Sequence, residues 1–239
     1  LESIRKLEEN GYVVLPSVFD RTEIDIMRSD VLANLSRMGK TRSHAQSFHL
    51  AGFHRYPSLS KLHVTIASNG LVNANLAAFF RSENYYTIGL SDITINRSQQ
   101  WHTDLLRGKY SDFLKGVDPW QSAGDTCIKA LVYLQPGRSL RIVQGSHRLR
   151  TPLNDGDLAH LPDLVKAEQL ELNSGDVVLM DIRAVHRGST DAEASAPKPE
   201  HQWKILVSTV FGKINSPVAH GMQQGNLARN LDWEQNWLS

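Results

Sequence analysis

Two hydrophobic rhythms run along this chain, and they divide it into a helical front and a strand-rich remainder. Ile24, Met27, Val31, Leu35 and Met38 recur three or four residues apart, the spacing that lines one face of a helix. Asp20 stands ahead of them with Glu23 three residues on, the reciprocal pairing that caps a helix N-terminus. Residues 1–10 are rich in Glu, Lys and Leu and stop at Gly11, which predicts an earlier helix ended by glycine. Between the two, Tyr12-Val13-Val14-Leu15 is a short β-forming run closed by Pro16. Residues 71–80 are apolar and Ala-rich and predict a third helix.

From Tyr85 onward, β-branched and aromatic runs replace the helical spacing. They predict strands over residues 85–88, 93–96, 126–134, 140–143, 170–172, 177–182 and 203–211, with turns at Pro136-Gly137 and Asn173-Ser174-Gly175-Asp176. Residues 105–125 read as a long loop carrying Arg107, Lys109, Tyr110 and Trp120, of a length that often serves as a lid. Residues 189–200, rich in Ala, Ser, Pro and acid, read as a mobile connection. Residues 40–68 show little periodicity and carry His44, His49, His54 and His63. None of these has paired ligand spacing, so the stretch reads as a substrate-facing loop rather than a metal site. Beyond Ile214 the pattern assigns no element, although Trp233 and Trp237 predict that the tail docks through aromatic rings. Helices ahead of many short strands predict a mainly β fold with flanking helices, a double-stranded β-helix (jelly roll, cupin-like), as a single domain over residues 1–239.

Composition narrows the class of partner. With 41% hydrophobic and 21% charged residues, the chain has the make-up of an ordinary globular protein. A formal charge of +1 creates no field that would gather nucleic acid or coat an anionic membrane. No apolar run approaches the ~18 residues of a membrane helix, and no secretory leader is visible. Cys127 is the single cysteine, so no internal disulfide forms, which fits a reducing, cytoplasmic setting. The expected partner is a small molecule, with no nucleic acid and no membrane.

The chemistry concentrates in Gln99-Gln100-Trp101-His102-Thr103-Asp104. Side chains two apart on an extended strand point the same way, so His102 and Asp104 offer adjacent corners of a metal site. A second histidine completes the 2-His-1-carboxylate triad of iron(II) oxygenases, which leaves open positions for reactants. His186, at the end of a hydrophobic run and followed by Arg187-Gly188, is the candidate. The plainer alternative makes His102 and Asp104 a hydrogen-bonded surface pair and His186 a satisfied core histidine.

Four stretches in order resemble the phytanoyl-CoA dioxygenase family of iron(II)/2-oxoglutarate oxygenases. Asn10-Gly11-Tyr12-Val13-Val14-Leu15-Pro16 is similar to its opening strand, and Gln100-Trp101-His102-Thr103-Asp104 to its first metal motif. Gly145-Ser146-His147 resembles its Pro-Gly-Ser-His turn with Gln144 replacing the proline, and Gly175-Asp176 with the run to His186 resembles its distal-histidine segment. The resemblance implies Fe(II) held by His102, Asp104 and His186, with 2-oxoglutarate as co-substrate and O2 as oxidant. It implies oxidative decarboxylation to succinate and carbon dioxide coupled to oxidation of a C–H bond, with hydroxylation the default and desaturation or ring formation open to the same site. Gln99 matches a position that contacts the co-substrate. The arginine that usually holds the far carboxylate is missing, and Lys204 is the best match to it, with Arg187 and Lys198 behind; lysine offers a point charge where arginine offers a fork. Retention of Asp104 argues against halogenation, because related halogenases carry a small residue there.

The expected substrate is a small polar or carboxylated molecule, such as a natural-product intermediate, with Arg107 and Tyr110 as candidate contacts. His147 reads as a structural turn residue. Two rival functions stay open on sequence grounds: a metal-dependent jelly-roll oxidase or isomerase that does not use 2-oxoglutarate, which the missing arginine supports, and a non-catalytic jelly-roll binding module. Zinc-dependent hydrolysis fits less well, since no carboxylate is obviously placed as a general base.

Overall fold

The structure, a computed structural model, describes residues 2–41, 45–121, 124–150, 158 and 167–238. Its front follows the helical rhythm. Helix α1 (Glu2–Asn10) ends where Gly11 takes φ +84°, and strand β1 (Tyr12–Leu15) follows directly. Helix α2 (Arg21–Ala33) starts at the capping box of Asp20 and Glu23 and buries Ile24, Met27 and Val31. Strands β2 (Gly39–Lys40) and β3 (Phe48–Ala51) and helices α3 (Ser60–Ala67) and α4 (Gly70–Phe80) come next. The strand-rich part holds β4 (Tyr85–Ile95), β5 (Cys127–Tyr133), β6 (Arg141–Val143), β7 (Ala167–Gln169), β8 (Val177–Asp181) and β9 (His186–Arg187). A short helix α5 (Asp191–Ser195), strand β10 (Ile205–Lys213) and the 22-residue helix α6 (Pro217–Leu238) complete the chain.

The strands form a jelly roll of two antiparallel sheets, one of seven strands in the order β1-β8-β5-β10-β4-β3-β2 and one of three in the order β7-β6-β9. Alternation along the strands gives the large sheet two different faces. Ile93, Ile95, Ala130, Val132, Leu179 and Val207 point to one face and pack with Leu7, Ile24, Met27, Val31, Leu62 and Leu76 of the front helices. Leu131, Tyr133, Val178, Met180 and Leu206 point to the other and pack with Leu140, Ile142 and Leu170 from the small sheet's side. Burying each such side chain fully contributes roughly 1.5–3 kcal/mol, so both layers are held by their apolar contacts. Where the inner face is polar instead, the site described below begins. No helix among the described residues is long and apolar enough to cross a membrane.

Several elements depart from the expectations. The two strands expected over 85–88 and 93–96 are one strand, β4. Gly89, at φ +75°, lies inside a register shift in which Thr209 faces Ser91 but Phe211 faces Thr87, so the strand bends without ending. The weakly periodic stretch after residue 40 contains β2, β3 and α3. Within 105–125, residues Gly108–Leu114 form a 3-10 turn. The expected mobile connection at 189–200 contains α5, started by a capping box between Thr190 and Glu193. The unassigned tail is α6; Trp233 packs on the main core and meets His49 edge-on at 6.2 Å, whereas the Trp237 side chain lies outside what is described.

Candidate metal centre

Backbone pairing, rather than a long strand, brings the candidate ligands together. His102 and His186 donate to each other's carbonyls at 2.9 Å in both directions, and Asp104 N–H donates to Ile182 O at 2.8 Å. Residues 98–104 therefore run along the edge of the small sheet beside β9, with Ser98 bridged to Ser189. Directly opposed residues of an antiparallel pair project to the same side, and the two imidazoles lie 4.3 Å apart between centroids. His102 Nε2 is 3.9 Å from Asp104 Oδ1, and His186 Nε2 is 3.6 Å from Asp104 Oδ2. One ligand atom from each of His102, Asp104 and His186 lies within 4.8 Å of the others. Adjacent corners of an octahedron with bonds of ~2.1 Å stand about 3 Å apart, so small side-chain movements close this set on one ion.

The donor atoms suit a divalent metal. His102 Nδ1 lies 2.6 Å from Gln100 O and His186 Nδ1 3.0 Å from Ala184 O. A carbonyl can only accept, so each Nδ1 carries the proton and each Nε2 turns a lone pair toward the other ligands. Burial, with each imidazole's cationic neighbours, pushes both histidines below their ordinary pKa and keeps them neutral. Burial alone would raise the Asp104 carboxyl; the Lys129 ammonium, which also hydrogen-bonds it, outweighs that and holds Asp104 ionised, below the usual carboxylate range. The set is thus two neutral imidazoles and one carboxylate, which fits iron(II).

Lys129 was not expected. It sits mid-strand in β5, buried, with Nζ 3.0 Å from both Asp104 oxygens. The only hint in the chain is a single cation inside the otherwise unbroken run Cys127-Ile128-Lys129-Ala130-Leu131-Val132-Tyr133.

A cavity of about 410 Å³ opens over His102 and Asp104, walled by Arg97, Gln99, Arg107 and Tyr110 and, from α6, by Asn226 and Arg229. Arg107 and Tyr110, the candidate substrate contacts, both line this cavity. Tyr110 hydroxyl donates to Asp232 at 2.8 Å, and Lys109 pairs with the same carboxylate, which ties the 108–114 turn to α6. Arg229 grips Asp92 through two contacts of 2.9 and 3.2 Å, and His49 Nε2 lies 3.4 Å from Asp92. Nothing in the sequence of the tail pointed to Asn226 or Arg229. A separate cavity of about 540 Å³, lined in part by Trp120, Asp181 and Arg183, includes no member of the triad.

Lys204 and Gln99 meet around Ser189, three residues past His186. Lys204 Nζ donates to Ser189 Oγ at 2.8 Å and to Arg97 O at 3.3 Å; Gln99 N–H donates to Ser189 O at 3.1 Å. Gln99 lines the cavity, whereas neither Lys204 nor Ser189 is among its lining residues. Burial, with Lys198 nearby, lowers the Lys204 ammonium to about 8. The weaker alternatives are engaged elsewhere: Arg187 lies over the Trp101 ring at 5.7 Å, and Lys198 Nζ donates to Glu193 O at 3.2 Å. His54 contacts Ser91 and His63 contacts Thr209, so neither joins the triad, and His44 lies outside the described residues.

The model of the phytanoyl-CoA dioxygenase (PhyH) family matches residues 7–192 of the 239. The chain belongs to this family. Phytanoyl-CoA dioxygenase family membership places it among the iron- and 2-oxoglutarate-dependent oxygenases. Its fold is shared with SnoK, a non-heme alpha ketoglutarate dependent carbocyclase from nogalamycin biosynthesis, at 21% identity and TM-score 0.69 over 95% of this chain and 89% of that one. The epimerase SnoN, solved with Fe3+, alpha ketoglutarate and nogalamycin RO, matches at 14% identity and TM-score 0.65 over 89% and 82%. HygX from Streptomyces hygroscopicus, solved with nickel, 2-oxoglutarate and hygromycin B, matches at 18% identity and TM-score 0.63 over 90% and 87%. No curated protein matches the sequence. The jelly roll expected from the strand pattern is the fold of this phytanoyl-CoA dioxygenase family member.

Proposed function

We propose that this protein is an iron(II)/2-oxoglutarate dioxygenase that oxidises a C–H bond of a small natural-product intermediate, with His102, Asp104 and His186 as the iron ligands. One observation carries the ligand assignment: both Nδ1 atoms are committed to backbone carbonyls, and both Nε2 atoms converge on one ionised carboxylate. When bound, iron and 2-oxoglutarate supply the oxidising power, by coupling O2 reduction to decarboxylation of the co-substrate.

The chain's own residues do the rest. His102 and His186 are held neutral, in one tautomer and in fixed orientation, so no proton has to leave before they bind the metal. Gln99 and Lys204, flanking Ser189 just beyond the distal histidine, are assigned to 2-oxoglutarate. Lys204 spends two of its three donors on Ser189 and Arg97 O and keeps one for the far carboxylate. Arg107 and Tyr110 are assigned to the substrate, on a wall to which α6 adds Asn226 and Arg229. Arg97 and Arg107 on that wall suit an acidic group on the substrate. The natural products bound in SnoN and HygX support a substrate of that general kind, and hydroxylation is the default outcome.

The test is anaerobic titration of the iron(II)-loaded protein with 2-oxoglutarate, followed by O2 and a panel of natural-product intermediates. A visible charge-transfer band and substrate-coupled succinate are expected. Oxidation or isomerisation without succinate would favour the 2-oxoglutarate-independent reading, which the lysine at position 204 supports. A protein that takes up no iron would leave only a binding module.

A further inference from the structure

We propose that Lys129 is a positioning residue that restricts Asp104 to one metal-bound oxygen, so that iron keeps the three open positions its chemistry needs. The inference rests on the iron reading above and adds a role that the triad alone does not supply.

The geometry is specific. Lys129 Nζ stands 3.0 Å from Oδ1 and 3.0 Å from Oδ2 of Asp104, so the ammonium faces the carboxylate symmetrically. That is the position an ion takes when a carboxylate chelates it through both oxygens. Lys129 and Asp104 are each only 10% exposed at the side chain, so water offers little competition. The cross-strand partners of Lys129 are Met180 on β8 and Val210 on β10, neither with a polar side chain. Among the described residues Asp104 is its one ionic partner. A lysine in the middle of an apolar strand is costly to bury, and only the carboxylate compensates for it here.

Counting positions shows what the contact does. An octahedral ion would offer six positions: two imidazoles and one carboxylate oxygen would fill three and leave three for the 2-oxo acid and the oxidant. Were Asp104 to bind through both oxygens, the protein would fill four and leave none for O2 once the 2-oxo acid had chelated. Lysine is a point charge with three rotatable donors on a flexible stem. When a metal takes one oxygen, the ammonium can pivot onto the other and keep it. The two histidines cannot do this, since each Nδ1 already donates to a carbonyl in its own segment.

Two measurements test the role. In the first, Lys129→Met, Lys129→Gln and the wild type are titrated anaerobically, first with iron(II) and then with 2-oxoglutarate. Lys129→Met should hold iron at least as tightly as the wild type but bind 2-oxoglutarate more than tenfold more weakly, with a diminished charge-transfer band. Lys129→Gln keeps a donor for the free oxygen and should stay within a few-fold of the wild type. Equal 2-oxoglutarate affinity in all three, or loss of iron itself from Lys129→Met, would overturn the proposal. The second measurement needs no variant: a crystal structure of the wild type with nickel and 2-oxoglutarate. One Asp104 oxygen on the metal and the other on Lys129 is expected. An Asp104 bound through both oxygens sinks the role of Lys129 and leaves the iron reading standing, whereas a wild type that binds no metal sinks both.

Discussion

His102 and His186 exchange both of their backbone hydrogen bonds, at 2.9 Å each, so the sheet sets the spacing of the two imidazoles before any ion arrives. Their separation does not depend on either side chain. Replacing one imidazole should therefore abolish metal binding and leave the fold intact. His102→Ala and His186→Ala are each expected to weaken iron(II) affinity by more than about 100-fold, beyond the usual cost of losing a group that merely supports a ligand. Thermal midpoints of the metal-free proteins should stay close to that of the wild type. Metal analysis and calorimetric titration check the first point and a melting scan the second; a variant that retains stoichiometric iron would remove that histidine from the ligand set.

Lys204 predicts a pH dependence. Its folded-state ammonium titrates near 8, because burial first and Lys198 next disfavour the charge. As pH rises through 8 the proton leaves, and the far carboxylate of 2-oxoglutarate loses its cation. Affinity for 2-oxoglutarate should fall by up to about tenfold between pH 7 and 9. Lys204→Arg, which stays charged throughout this range, should flatten the profile; an unchanged fall in that variant would mean that another group is responsible. Stability moves the other way. The unfolded lysine keeps its proton up to about 10.4, so between 8 and that value the unfolded state binds more protons, and this residue's contribution to folding stability rises with pH.

Arg183 and Asp181 predict a stability effect just upstream of the distal histidine. Arg183 donates to Asp181 through Nε at 2.9 Å and through its terminal amine at 2.7 Å, and its backbone N–H donates to the same carboxylate at 2.9 Å. Thr126 hydroxyl adds a fourth bond at 3.0 Å. Both charged groups are buried, so removing one leaves the other uncompensated. Arg183→Met should cost about 3–5 kcal/mol in urea unfolding. The double variant Asp181→Asn/Arg183→Met should recover more than half of that loss; equal losses in the two proteins would show that lost packing, not an orphaned charge, is the cause.

Gly175 predicts a loss of stability without loss of the site. It sits at φ +89°, and a Cβ there would lie 2.1 Å from the Phe19 carbonyl oxygen. Neither the conformation nor the space admits another residue. Gly175→Ala should destabilise the fold by at least about 2 kcal/mol and lower the melting temperature by roughly 4–8 °C. Iron binding to the folded protein should be unchanged, and a variant as stable as the wild type would contradict the close approach of these two backbones.

Much of this arrangement was legible along the chain, and the gaps have physical causes. Local rules spoke clearly where one residue type decides the outcome: the Asp20 and Glu23 cap, the end of α1 at Gly11, and the apolar runs of β5, β8 and β10. The candidate triad was legible because His-x-Asp and a later histidine keep a recognisable order. Non-local events were harder to read. β3 is short, and its pairing with β4 is visible only once both are folded. Gly89 looked like a break between strands because a bulge and a turn use the same residue. Lys129 drew no reading inside the strand predicted over 126–134, because its partner, Asp104, lies 25 residues earlier. Arg229 carries no signal at all, since only the packing of α6 brings it to Asp92.

The helix α6 has a practical consequence. The family match stops at residue 192, yet Lys204, Asn226 and Arg229 lie after it. The candidate iron ligands therefore precede that point, while the proposed co-substrate anchor and two residues of the cavity wall follow it, beyond α5. Exchanging the C-terminal segment for that of a relative should therefore alter the grip on the co-substrate and one side of the cavity together, while the triad of His102, Asp104 and His186 stays in place.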